Sequence, residues 1–193
     1  MSWDFVVRET NLDDFAIASL EEFCKTEGYT VSIHPNTNLI EDSGFLPFKT
    51  TGDFLSGLDS KDLLSGFEFY SELADPATEQ QSIKPQSKGL LKGLFRKNQP
   101  PVDSTTPVSA TPNEEKYNLT LVCGGDLLEI FIAHLFSLYF SELQSCECYD
   151  PQDDIKYQTS DDLEKALNDI VVELKLQLSK GTLRIQYFES WSS

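Results

Sequence analysis

The chain has 193 residues, 32 acidic and 15 basic side chains, and a net charge of −17. Such a field repels nucleic acid and anionic membranes and attracts basic partners. A hydrophobic fraction of 39% with 11% aromatics excludes a disordered chain and is enough for one sizeable core.

In chain order, WDFVVR (3–8) is a short β-prone run. Asn11 is placed to cap the next helix, with Asp13 and Asp14 in its first turn. Ala16, Ile17, Leu20, Phe23 and Cys24 recur on one face, so the spacing predicts an amphipathic helix over 12–26, ended by Gly28. Tyr29, Val31 and Ile33 alternate with polar residues and predict a strand, closing a first β-α-β unit.

SGFLPFKTT (43–51) reads as a strand carrying Pro47 at an edge or bulge, and GFEFYSEL (66–73) as a second strand. The glycines and serines between them mark turns or a single helical turn. Six aromatics in this region (Phe45, Phe48, Phe54, Phe67, Phe69, Tyr70) exceed what one strand face can bury. They imply packing under a helix, an exposed contact surface, or both.

From 76 to 115 the composition turns Pro-, Ser- and Thr-rich, as in a flexible insertion. Within it KGLLKGLFRK (88–97) joins leucines to basic residues. Five of the fifteen bases fall in the acid-free window 84–97, which deepens the charge on the remainder to −22. The segment is either a basic recognition peptide or an element that docks on the parent domain's acidic surface.

Tyr117, Leu119, Leu121 and Cys123 predict a strand that runs through Gly124 and Gly125 into DLLEIFIAHLFSLYFSEL (126–143). That stretch carries only a narrow polar stripe, so it is the central core helix, too short and too polar at Glu129 and His134 to span a membrane. QSCECYDPQ (144–152) reads as a strand that closes a second β-α-β unit. Ser160 is placed to cap a helix whose face runs from Leu163 to Leu178, with Gly181 as its stop and a last strand over 183–187. The expected fold is α+β: a two-layer sandwich with a mixed sheet, helices mainly on one face, and two β-α-β units within a single domain.

Little of this points to chemistry. Strand, Gly-Gly and helix at 121–128 can cradle a phosphate, but Asp126 sits at the cap and repels an anion, and neither nucleotide fingerprint is present. His34 and His134 lie in no catalytic motif, and the four cysteines read as buried free thiols. Neither a catalytic residue nor a cofactor or metal site is assigned. The densest acidic group, Glu147, Asp150, Asp153, Asp154, Asp161 and Asp162, crowds one strand-to-helix connection and is the candidate partner-binding set.

SGFLPFK (43–49), GFEFY (66–70), the GGD-led helix and CYDPQ (148–152) resemble patterns in small uncharacterised bacterial cytosolic proteins. Some proteins of that kind look like immunity proteins paired with secreted toxins. The resemblance implies no catalytic residues. The expectation is a non-enzymatic acidic interaction protein that occludes a basic partner such as a toxin. It is also expected to bind no nucleic acid and, with no secretory signal at its start, to stay in the cytoplasm. Two alternatives stay open: a small hydrolase using carboxylates or a metal, and an adaptor working through 88–97.

Overall fold

The computed structural model describes residues 2–13, 15–58, 61–74 and 115–191. The insertion expected at 76–115 lies outside them except for Glu115, and KGLLKGLFRK lies wholly outside.

Alternation of apolar and polar side chains builds the sheet. Its centre is β1 (Trp3–Thr10), β3 (Gly44–Thr51), β4 (Asp62–Leu73) and β5 (Tyr117–Cys123). Phe5, Phe48, Phe67 and Leu121 turn to one face and are buried, because successive strand residues point to opposite sides. The short strands β2 (Val31–Ile33), β6 (Cys148–Asp150), β7 (Ile155–Tyr157) and β8 (Gln186–Tyr187) complete it. The order is β2-β3-β4-β5-β1-β6-β7, with β8 beside β4 at Leu63 and Leu64.

Neighbouring strands among the described residues are antiparallel throughout. The β-α-β passes are nevertheless there. β5 and β6 both run antiparallel to β1, which lies between them, so they share a direction. The chain leaves β5, traverses α2 (Leu127–Gln144) and returns as β6, one strand removed. The first pass leaves β1 through α1 (Ile17–Thr26) and ends on β2, parallel to β1 with three strands between. The parallel relationships of this α+β fold are thus between strands that do not touch.

α2 covers the apolar face as the sequence anticipates. Asp126 caps it by accepting a hydrogen bond from Leu128 N at 3.1 Å. Phe136 meets the rings of Phe67 at 5.4 Å, Phe48 at 6.0 Å and Phe69 at 6.3 Å. Phe131 stacks on Phe54 at 4.8 Å. Four of the six aromatics between 45 and 70 therefore pack under α2, while Phe45 and Tyr70 stay exposed. The expectation that this stretch is too short and too polar to span a membrane is corrected: α2 is long and apolar enough by length and composition, and 72% of it is buried inside the fold.

Three local expectations are corrected. α1 begins at Ile17, not at 12: its N-cap position is Ala16, and Asn11 instead accepts a hydrogen bond from Asp13 N at 2.8 Å, a side-chain turn that competes with helix. α3 (Ser160–Lys180) is capped by Thr159, not Ser160, through a reciprocal box in which Asp162 Oδ2 accepts from Thr159 N at 3.2 Å. The strand expected over 144–152 shrinks to Cys148–Asp150, and the chain turns at once into β7. Gly181 does stop α3, at φ 67°, and only Gln186–Tyr187 of the last predicted strand pairs.

Candidate functional site

Of the six acids singled out in the sequence, five reach the surface and one, Asp150, does not. Glu147 Oε1 lies 3.2 Å from Arg8 Nη1 and 3.7 Å from Lys156 Nζ, so its charge is matched within the chain. Asp150 is fully buried. Its Oδ1 accepts hydrogen bonds from Gln152 N at 2.9 Å and Asp153 N at 3.3 Å, which holds the turn from β6 to β7. Asp154 Oδ1 accepts from the Tyr149 hydroxyl at 3.0 Å, and its own backbone is left-handed at φ 52°. Asp162 is engaged in the helix cap. Asp153 and Asp161 are exposed. Burial of Asp150 removes it from any contact face.

The fold assembles a different acidic group. Glu27 at the end of α1 feels Glu164 of α3 and Glu142 of α2, and partial burial together with those two charges raises its pKa. The described ion pairs are Arg8–Glu147, Lys25–Glu22, Lys49–Asp62 and Lys156–Glu147, and none relieves this trio. The three acids are 115 and 22 residues apart in sequence, so only the packing of three helix ends brings them together.

The core groups that most resemble catalytic parts are closed off. His134 is 3% exposed, its Nδ1 lies 2.9 Å from Ile130 O, and the edge of its ring meets Phe5 at 4.2 Å. Burial lowers its pKa to about 4, so the imidazole is neutral at physiological pH. All four cysteines are free and buried. The Gly-Gly turn is occupied by the chain's own carboxylates: Gly124 N donates to Glu129 Oε2 at 2.5 Å and Leu128 N to Asp126. Among the described residues no three His, Cys, Asp or Glu side chains converge on a metal position.

On the side of the sheet away from Phe5, Phe48 and Phe67, the described residues include exposed rings at Phe45 and Tyr70 and a half-buried middle at Val6, Thr120 and Val122. Cross-strand register sets Phe45 beside Glu68, Glu68 beside Val122, and Val122 beside Asp4. A second row sets Tyr70 beside Thr120, Thr120 beside Val6, and Val6 beside Tyr149. Phe45 is 58% exposed and Tyr70 45%, and the Tyr70 hydroxyl donates to Glu68 Oε2 at 2.9 Å. Tyr149, at the far end, lies under Arg8 with 5.3 Å from guanidinium to ring centroid. Two surface pockets of about 310 and 200 Å³ both have Phe45 in their walls. The aromatic excess in the sequence signalled this face; which two rings would remain outside depended on strand register.

No family model, curated protein or solved structure matches the chain.

Proposed function

We propose that this chain is a non-enzymatic acidic interaction protein of the cytoplasm, an immunity protein that occludes the active or nucleic-acid-binding surface of a basic toxin. The observation that supports this is that Glu27, at the end of α1, feels the charges of Glu164 of α3 and Glu142 of α2, and that none of the three enters an ion pair among the described residues. Like charges brought together oppose folding, and an arrangement that keeps them is explained by a countercharge supplied from outside. The charge of −17 extends the same field over the whole molecule and speeds encounter with a basic protein. The segment resemblance to immunity proteins supplies the bacterial setting.

Co-expression with the basic protein encoded beside it, followed by measurement of association rate against salt, tests the proposal. The expected result is rescue from toxicity and an association rate that falls steeply as salt rises. A neighbour that is neither basic nor toxic, or association indifferent to salt, would remove the proposal.

A further inference from the structure

We infer that the partner docks on the face of the sheet around Phe45 and Tyr70, and that what it presents there is a basic protein surface offering arginine beside apolar side chains. This deepens the proposed function and rests on it. Three candidate faces compete. The connection at 147–164 offers exposed acids such as Asp153 and Asp161 but no exposed aromatic ring. The helix-end trio offers charge, with Leu143 of α2 as its exposed apolar neighbour in sequence. Charge at the rim governs encounter more than residence, whereas tight binding needs aromatic anchors that lose water on contact.

The sheet face supplies both parts. Phe45 and Tyr70 stand out on β3 and β4, and the half-buried Val122 and Val6 continue the apolar surface across β5 and β1. Arg8 and Lys156 share the single carboxylate of Glu147, Lys49 pairs with Asp62 at 3.4 Å, and Arg184 lines the pocket beside Phe45 with no ion pair among the described residues. Glu68 and Glu72 enter no ion pair among the described residues, so carboxylates without a cation flank Tyr70 on its own strand. A guanidinium laid on Tyr70 would meet the ring face and the Glu68 carboxylate that the Tyr70 hydroxyl already orients. An open antiparallel sheet with outward aromatics is also how single-stranded RNA is bound, but that use needs a positive surface to track phosphates. The carboxylates here oppose it.

The test is a titration of the isotopically labelled full chain with a short peptide of arginine and leucine, and separately with a single-stranded RNA, read by backbone amide shifts. The peptide is expected to move Phe45, Glu68, Tyr70 and Val122, and the RNA to move nothing. Tyr70→Ser should weaken peptide binding about tenfold or more. Glu68→Gln, an exposed change that disturbs no packing, should also weaken binding and serves if Tyr70→Ser is unstable. Peptide shifts gathered at Glu27, Glu142 and Glu164 would overturn the docking face while leaving the acidic interaction protein standing. Peptide binding nowhere would sink both, and RNA binding on the sheet would replace the basic partner with a nucleic acid.

Discussion

The ring of Phe45 lies over the backbone of Gly66 on the next strand. A Cβ built at Gly66 would stand 2.7 Å from Phe45 Cζ and 2.3 Å from the Leu46 carbonyl oxygen. The aromatic covers a position where a side chain cannot fit, which gives a half-exposed ring a fixed seat. Gly66→Ala must therefore displace backbone as well as the ring. Urea unfolding should show a loss of about 1–3 kcal/mol, and unchanged stability would mean the two strands separate more freely than their register implies.

His134 makes stability fall in acid. Its folded pKa of about 4 lies below the ordinary 6.5, so the unfolded chain binds the proton more readily. The neutral imidazole is tolerated above pH 6.5, and stability attributable to it is lost as pH drops from there through 4. The full loss is on the order of 3 kcal/mol. Chemical denaturation across that window should show the slope, and His134→Leu should flatten it.

Asp150 is predicted to act on folding alone. Asp150→Ala leaves Gln152 N and Asp153 N without their acceptor and should destabilise by about 1–3 kcal/mol. Asp150→Asn keeps the accepting oxygen and should stay close to wild type. Association with a partner, measured on the folded fraction, should be unaffected by either.

The helix-end trio offers a stabilising change. Glu164→Gln removes one of the two charges that raise the Glu27 pKa. Thermal melting at low salt should shift upward slightly, by a few tenths of a kcal/mol, and the gain should vanish at high salt. A downward shift would mean that the trio has a countercharge within the chain.

The cysteines should be silent until the chain unfolds. Burial pushes the thiols of Cys24, Cys123 and Cys148 up to about 12, and that of Cys146 to about 11. Thiolate is the reactive form, so native protein should react slowly with a thiol reagent and denatured protein should yield all four thiols. Cys146 should be first. Rapid native reaction of any other cysteine would contradict the packing.

Legibility in the sequence followed the length of each pattern. α2 and the alternating runs of β3 and β5 repeat their signal over many residues and form where expected, whereas β4 begins at Asp62, within the stretch read as turns. β7 and β8 have three and two residues, too few for a period to show. The start of α1 was misplaced because Asn11 serves a turn as well as it serves a cap. The site was harder still. Asp150 looks like any surface acid until two backbone amides are seen to claim it, and Glu27, Glu142 and Glu164 meet only through the packing of three helices.

β1 lies between two strands that the ribosome delivers more than a hundred residues later, pairing Phe5 with Leu121 and Val7 with Cys148. Until β5 and β6 are made, the apolar strand β1 lacks both of the neighbours it has among the described residues. Contacts of such separation slow folding and leave the nascent protein open to wrong pairing. The first strand of this sheet to be made therefore waits for partners that come more than a hundred residues later.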